Sequence, residues 1–139
     1  YISQTPYIFA DTVRNNIQFG NSEVTDEEII ALASQIGADS LFQKLPEGLD
    51  TKIKENQMSY GELQMIAFLR AILHHANIYI FDEPTSNIDL KTENMIQRVI
   101  NHISKMSTVI IIAHRKSTIA NSDKVIYLKD GQVDMIVNK

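Results

Sequence analysis

Two adjacent carboxylates, Asp82 and Glu83, follow the apolar run at residues 78–81 and precede Pro84. A short apolar run that stops at a chain breaker is typical of a strand buried on both faces. Carboxylates are costly to desolvate unless a cation or donor compensates them, and open α/β sheets hold ligands at the carboxyl ends of their strands. The pattern therefore favours a metal-and-phosphate site that hydrolyses a nucleotide. The alternative is a solvated turn in which Asp82 caps the segment that follows.

The elements that would position this pair alternate between strand and helix in the second half of the chain. The predicted elements are a strand at 78–81, a helix at about 89–104, a second buried strand at 108–113, a short helix at 116–120, and a hairpin with strands at about 124–129 and 132–137. Asp130-Gly131 between the last two strands is a type I′ turn signal. Such alternation predicts an α/β fold with a parallel sheet.

The first half of the chain is mostly helical. Its predicted elements are a strand end at 1–4, helices at 11–18, 25–36 and 38–44, a turn at 45–48, and a long helix from 59 to about 73. Thr25 and Glu28 form a capping box, and Gly37 suits the end of the helix that this box opens. The change near residue 76 predicts two lobes, 1–76 and 77–139, rather than two independent domains.

Length and composition limit the possible classes of protein. The chain has 139 residues, which suits one domain with a sizeable core. Its net charge of −4 argues against nucleic acid as a partner, and the absence of cysteine excludes disulfides and thiolate metal sites. No apolar run reaches the ~18 residues of a membrane span, so we expect a soluble chain. Because Tyr1 opens the chain at a strand end, we also expect it to begin inside a larger protein.

Further motifs surround the carboxylate pair in a fixed order. They are Gln4 after the first strand, Met58-Ser59-Tyr60-Gly61-Glu62 at the start of the long helix, Ser86-Asn87-Ile88-Asp89 after the carboxylates, and His114-Arg115 after the second buried strand. In this order the motifs resemble those of the ATPase domain of an ATP-binding-cassette (ABC) transporter, and the resemblance covers essentially the whole chain. It implies an incomplete P-loop NTPase sheet, made of the C-terminal strands and helices, with an ABC-type helical subdomain.

The resemblance implies a role for each polar residue near the carboxylates. Asp82 resembles the Walker B aspartate that holds Mg²⁺, and Glu83 resembles the general base that polarises the attacking water. Gln4 resembles the Q-loop glutamine, which approaches the metal and that water, and His114 resembles the switch histidine at the γ-phosphate. Taken alone, Gln4 and His114 are better explained as polar residues that end strands, and it is their place in the ordered set that favours the functional interpretation.

Ser59, Tyr60, Gly61 and Glu62 resemble the signature motif, LSGGQ, which presents a helix N-terminus to ATP. Unpaired backbone N–H groups and the helix dipole favour a phosphate there, and a glycine allows close approach of the backbone. An ordinary capping box explains Ser59 and Glu62 equally well. Asp89 resembles a residue of the D-loop, which crosses the dimer interface, and it also suits the N-cap of the next helix.

Two longer stretches resemble exporters in particular. Residues 4–17 match the pattern Q-x-x-x-x-F-x-x-T-[IV]-x-x-N-I, and residues 45–51 match Leu-Pro-x-Gly-x-x-Thr. The exporter resemblance implies ATP hydrolysis that drives transport, with ATP and Mg²⁺ as cofactors. It also implies two partners, a second ATPase domain in a head-to-tail dimer and a transmembrane domain, at the cytoplasmic face of a membrane.

The chain departs from this family in two respects. It holds no G-x-x-x-x-G-K-[ST] phosphate loop, since none of its five glycines precedes a lysine. We therefore expect the isolated chain not to bind ATP, and we expect its sheet to expose an open edge that promotes self-association or strand exchange. The signature motif has Met58, Tyr60 and Glu62 in place of Leu, Gly and Gln. This departure suggests a weakened site in an asymmetric dimer.

Two other classes of function remain open at the level of sequence. One is a non-catalytic or regulatory ABC subunit that acts through protein–protein contacts, which the altered signature favours and the intact Asp82, Glu83 and His114 oppose. The other is an autonomous interaction module. The residues that precede Tyr1 would distinguish these from a catalytic subunit, because a phosphate loop there would complete the site.

Overall fold

The computed structural model describes residues 1–54, 57–84 and 90–139. In chain order its elements are α1 (Val13–Gln18), α2 (Asp26–Ile36), α3 (Asp39–Gln43), a 3₁₀ turn (Gly48–Asp50), α4 (Tyr60–Leu73), β1 (Ile78–Asp82), α5 (Leu90–Ile103), β2 (Thr108–Ile112), α6 (Lys116–Ile119), β3 (Lys124–Lys129) and β4 (Gln132–Asn138). The predicted helices and the strands of the second half are present within about two residues of their expected bounds, whereas the predicted strand end at 1–4 is an isolated bridge at Ile2. The predicted start of α5 at Asp89 lies outside the described residues.

The two longest helices of the first half begin with reciprocal capping boxes. In α2 the Thr25 side chain accepts from the Glu28 backbone N–H while the Glu28 side chain bonds the backbone of Thr25. Ser59 and Glu62 repeat this arrangement at the start of α4. Each box satisfies two backbone donors that a helix start would otherwise leave unpaired, so both helix starts are determined by residues three apart.

The parallel sheet is built around β1. Its register with β2 pairs Ile78 with Thr108 and Asp82 with Ile112. On the other side of β1, Ile2 forms a parallel bridge with Phe81. The Ile2 N–H donates to the Ile80 carbonyl at 2.8 Å, and the Asp82 N–H donates to the Ile2 carbonyl at 3.0 Å. The three segments therefore end at the same edge of the sheet.

One hydrophobic core joins the helices to this sheet. Phe68 of α4 and Phe81 of β1 are both fully buried, and their ring centroids lie 5.5 Å apart. Fully buried side chains of the remaining elements complete the core: Val13 and Ile17 of α1, Ile29 and Ile36 of α2, and Ile96 and Val99 of α5.

The far side of the sheet is less covered than the sequence predicts. β2, expected to be a buried strand, is alternately exposed and half-buried, with Ile110 48% and Ile112 51% accessible. The exposed residues 108, 110 and 112 share one face of β2, which is left uncovered in the described part of the chain. Within the described residues β2 also pairs only with β1. The β3–β4 hairpin forms a separate two-stranded sheet. Its turn has positive φ at Asp130 and Gly131, 50° and 76°, as the type I′ signal predicts. The fold is thus an incomplete α/β sheet, as expected.

Candidate functional site

The carboxylate pair lies where β1 ends, held by its two neighbours in the sheet. The Asp82 N–H bonds the Ile2 carbonyl at 3.0 Å, and the Glu83 N–H bonds the Ile112 carbonyl at 2.9 Å. Asp82 Oδ2 accepts a 2.5 Å hydrogen bond from the Tyr1 hydroxyl, and this bond raises the pKa of the Tyr1 phenol. Backbone pairing on both sides therefore determines where the two carboxylates stand.

Glu83 and His114 face each other at this edge. The Nδ1 atom of His114 lies 3.4 Å from Glu83 Oε1, although the two residues are 31 positions apart in the chain. The parallel register places them together, because β1 ends at Asp82 and its partner β2 ends at Ile112. Glu83 is half-buried and His114 is exposed. At this distance the imidazole contacts the carboxylate directly, and the carboxylate can still accept a proton from a water molecule placed beside the pair.

Gln4 belongs to the same edge. It lies two residues beyond Ile2, whose parallel bridge with Phe81 carries the first segment past the end of β1 in the same direction. Its side chain is exposed and stands in a bend. The strand register thus brings Gln4, Asp82, Glu83 and His114 to one edge of the sheet.

The predicted signature turn stands at the start of α4, where Glu62 turns back over the cap. Glu62 Oε2 accepts from the Ser59 N–H at 2.8 Å and from Ser59 Oγ at 2.9 Å. Its other oxygen pairs with Lys44 Nζ at 2.8 Å. Partial burial opposes ionisation of Glu62, but the Lys44 pair and the Ser59 bonds outweigh it and lower the pKa of the carboxyl. The negative charge of Glu62 is therefore neutralised within the chain.

Tyr60 and Gly61 have contacts of their own. The Tyr60 hydroxyl is hydrogen-bonded to Thr5, and partial burial of the ring raises the pKa of the phenol, so this side chain connects α4 to the segment that follows Gln4. A Cβ on Gly61 would lie 2.8 Å from Thr92 Cγ2 of α5. Glycine at this position therefore permits close packing of α4 on α5, in addition to the approach to phosphate that the sequence suggests.

Contacts of three further polar residues escape the sequence analysis. Gln64 donates to the Pro84 carbonyl at 2.8 Å. Arg115 pairs with Glu93 at 2.9 Å, beside His114. The Arg70 guanidinium lies over two neighbouring aromatic rings, 5.4 Å from the Phe9 centroid and 5.1 Å from the Phe19 centroid. Gln64 could have been noticed in the sequence because it is a polar residue at a position where α4 should be buried. The contacts of Arg115 and Arg70 join segments that are distant in the chain, so no sequence pattern indicates them.

The side chains at this edge suit a metal ion that takes one ligand from the protein and the others from water and phosphate oxygens. In the described ranges 1–54, 57–84 and 90–139, no three His, Asp or Glu side chains are grouped to hold a metal ion. Asp82 nevertheless offers carboxylate oxygens, the ligand type that Mg²⁺ prefers, and Mg²⁺ usually takes one or two carboxylates with water and phosphate oxygens. Asp82 therefore fits as a single protein ligand. Asp89, the predicted D-loop residue, lies outside the described residues.

Comparisons with known proteins agree on one family. The family model for ABC transporters matches residues 1–86. The chain is 41% identical over 135 residues to the ATP-dependent lipid A-core flippase of Francisella tularensis, a match that covers 95% of this chain and 22% of the flippase. It is 40% identical over 134 residues to ABC transporter B family member 14 of Arabidopsis thaliana, covering 95% of this chain and 11% of that protein.

Two further relatives are bacterial. The probable multidrug resistance ABC transporter ATP-binding/permease protein YheH of Bacillus subtilis is 37% identical over 134 residues, covering 95% of this chain and 20% of YheH. A solved structure of a bacterial Atm1-family ABC exporter with ATP bound superposes with a TM-score of 0.85 at 32% identity, covering 99% of this chain and 24% of the exporter. The chain spans less than a quarter of each of these proteins.

The chain matches one portion of each of these longer proteins. No helix among the described residues is long and apolar enough to cross a membrane. The chain therefore belongs to the ABC transporter family, and it has the fold of part of an exporter's ATP-binding domain.

Proposed function

We propose that the chain supplies the water-activating edge and the signature turn of an ABC exporter subunit that hydrolyses ATP to drive transport. The observation that carries the proposal is the placement of Glu83 Oε1 at 3.4 Å from His114 Nδ1, beside Asp82 at the end of β1. An acid–base pair at the carboxyl edge of a parallel sheet is suited to activating water next to a bound nucleotide.

Each residue of this edge has a distinct role in the proposal. Glu83 accepts the proton of the attacking water, and His114 holds the Glu83 carboxylate in place and contacts the γ-phosphate. Asp82 would hold Mg²⁺. Gln4 approaches the metal and orients the water through its side-chain amide, which both donates and accepts hydrogen bonds. When bound with ATP, Mg²⁺ neutralises charge that develops on the phosphate oxygens.

The signature turn serves a second subunit in this proposal. Ser59, Tyr60, Gly61 and Glu62 begin α4, and the backbone N–H groups that the capping box does not use are available for the partner's phosphates. The partner is a second ATPase domain in a head-to-tail dimer, with Asp89 near the interface. A transmembrane domain is the other partner, at the cytoplasmic face of the membrane. Of the two lobes, 1–76 carries the signature turn and Gln4, and 77–139 carries Asp82, Glu83 and His114.

The test replaces the base in the complete exporter subunit. Glu83→Gln preserves the shape of the side chain and removes its basicity, so we expect ATP turnover to fall about 10²–10⁴-fold while ATP is still bound and trapped. Glu27→Gln, at an exposed position of α2, is the matched control and should leave turnover unchanged. Wild-type turnover in the Glu83→Gln protein would contradict the proposed role of this edge.

The isolated chain is proposed not to bind ATP, because it holds no phosphate loop to supply a backbone cradle and a lysine. Titration calorimetry should show no ATP binding to residues 1–139 and clear binding to the complete subunit. Micromolar affinity of the isolated chain would contradict the proposal.

A second candidate is a non-catalytic or regulatory subunit with a weakened signature site. The engagement of Glu62 with Lys44 and Ser59 and the bulky Tyr60 favour it, because both change the surface that a phosphate would meet. If the site is weakened in an asymmetric dimer, the double substitution Tyr60→Gly and Glu62→Gln in the complete protein should raise ATP turnover. Unchanged turnover would contradict this candidate.

A further inference from the structure

Gln64 is a polar side chain in the apolar core. It is 1% exposed and lies in α4 beside Met65 and Ile66, which are 2% and 0% exposed. Burying an amide costs free energy unless its donors and acceptor are hydrogen-bonded. A residue of this kind at a core position therefore needs an account beyond packing.

The hydrogen bonds of Gln64 are one-sided. Its Nε2 donates to the Pro84 carbonyl at 2.8 Å, whereas its Oε1 has no partner among the residues that the structure describes. An apolar side chain of similar length would fill the same space and leave no buried acceptor unpaired. What Gln64 alone supplies is a donor that holds the carbonyl of the residue after Glu83.

The segment held in this way is strained. Glu83 has a φ of +45°, in the left-handed region that residues other than glycine seldom adopt. Such conformations persist where the surroundings hold them on several sides. Here the Glu83 N–H bonds the Ile112 carbonyl at 2.9 Å on one side of the turn, and Gln64 holds Pro84 on the other.

Gln64 also belongs to the helix that begins with the signature turn. It lies five residues after Ser59 and three after Gly61, and Gly61 packs closely on Thr92 of α5. The first two turns of α4 therefore contact both the turn that carries Glu83 and the first turn of α5. A displacement at the start of α4 would be transmitted to Pro84 through a direct hydrogen bond.

We propose that Gln64 is a positioning residue for ATP hydrolysis: its bond to Pro84 keeps the Glu83 carboxylate opposite His114 and connects the signature turn to the base of the same subunit. This inference rests on the proposed function, in which Glu83 activates water for one nucleotide and the start of α4 contacts the nucleotide held by the partner subunit. Gln64 thereby links the two nucleotide sites of the dimer.

The first test is Gln64→Met in the complete exporter subunit. Methionine fills the space without a donor, so we expect kcat for ATP to fall about tenfold to hundredfold through misplacement of Glu83, with KM for ATP within about twofold of wild type. The thermal unfolding midpoint should stay the same or rise, because the unpaired acceptor is removed. Gln97→Met is the matched control and should leave kcat unchanged. In the described structure the Gln97 side chain of α5 is hydrogen-bonded to one residue, the exposed Asn101.

The second test uses a side chain that donates only when protonated. In Gln64→Glu, a neutral carboxyl can donate to the Pro84 carbonyl, and burial raises the pKa of a carboxyl so that protonation begins near about pH 8. We expect the turnover of Gln64→Glu, as a ratio to wild type, to rise as the pH is lowered from about 8 to 6. The same ratio for Gln64→Met should stay flat.

The possible outcomes separate the two proposals. Wild-type kcat in Gln64→Met, or a loss of turnover that matches a loss of folded protein, would overturn the positioning role while Glu83→Gln still tests the base. Flat ratios for both variants would also overturn it. A complete wild-type subunit that turns over no ATP would overturn the proposed function, and the role of Gln64 with it.

Discussion

Helix α4 and strand β2 differ in how completely this chain covers them. Six side chains of α4 are buried: Gln64, Met65, Ile66, Phe68, Leu69 and Ile72. By contrast, Ile110 and Ile112 of β2 are about half exposed, and the hairpin beyond has Leu128 71% exposed. The scaffold of the signature turn is therefore built within the chain, whereas the sheet beyond β1 is built only on one side.

The edge that carries Glu83 lies on the boundary between these two regions. Glu83 is connected to the covered region through Gln64 and Pro84, and to the open region through the Ile112 carbonyl and His114. Stability and the proposed chemistry therefore depend on different parts of the chain. The helices supply most of the core, while the proposed chemistry depends on strands whose outer surface is uncovered.

The largest effect should come from truncating one buried and one exposed side chain of similar type. Phe68→Ala removes a fully buried ring that packs on Phe81, so we expect a loss of about 3–5 kcal/mol in the free energy of unfolding. Leu128→Ala in the exposed hairpin should change it by about 0.5 kcal/mol or less. Urea denaturation measures both, and equal losses would contradict the contrast between the two regions.

A smaller loss is expected where α4 packs on α5. Gly61→Ala would place a methyl group 2.8 Å from Thr92 Cγ2, and overpacking of this kind costs about 1–3 kcal/mol. Adding Thr92→Ala removes the clashing atoms, so the double variant should recover most of the loss. A Gly61→Ala protein as stable as wild type would show that this contact yields easily.

The ion pair between Glu62 and Lys44 should make the free energy of unfolding depend on pH. The pKa of Glu62 is lowered in the folded chain despite the opposing effect of burial. Ionised Glu62 therefore stabilises the fold at pH values above the ordinary carboxyl pKa, and this stabilisation is lost as the pH falls through the lowered pKa. Glu62→Gln should therefore lose less stability than wild type between about pH 6 and pH 3. Glu27→Gln is the control, and urea unfolding at several pH values is the measurement.

The smallest effect on stability should accompany a large effect on association. In the described part of the chain β2 has a strand partner on one side only. Such an edge favours pairing with another chain, so we propose that the isolated chain self-associates or exchanges strands there. Ile110→Lys with Ile112→Lys should change unfolding by about 0.5 kcal/mol or less and abolish the association in light scattering. Ile30→Lys, at a 53% exposed position of α2, is the control and should leave the association unchanged. A wild-type chain that stays monomeric at high concentration would refute the proposal.

Local features could be predicted from the sequence because the interacting groups are close in the chain. Thr25 with Glu28, and Ser59 with Glu62, are three residues apart, so helix geometry alone brings each pair together. Asp130-Gly131 indicates its turn because few residues tolerate positive φ at both central positions. These features placed the helices and strands, and their order around Asp82 and Glu83 indicated the family.

Contacts between distant segments could not be predicted in this way. No spacing rule relates Lys44 to Glu62, Gly61 to Thr92, or Gln64 to Pro84, since each contact depends on how one element packs on another. Glu62 is one of the signature departures that suggested a weakened site, and no local pattern predicted that packing places Lys44 against it.

The elements, their caps and the residues able to do chemistry follow from local sequence, because they depend on side-chain type and on neighbours a few positions away. That Glu83 faces His114, and that Gln64 bonds the Pro84 carbonyl, is visible only in the folded chain. A parallel register and a buried hydrogen bond create these contacts, and they join residues 20 to 31 positions apart. Such distances are closed by packing of the core, which no local pattern encodes.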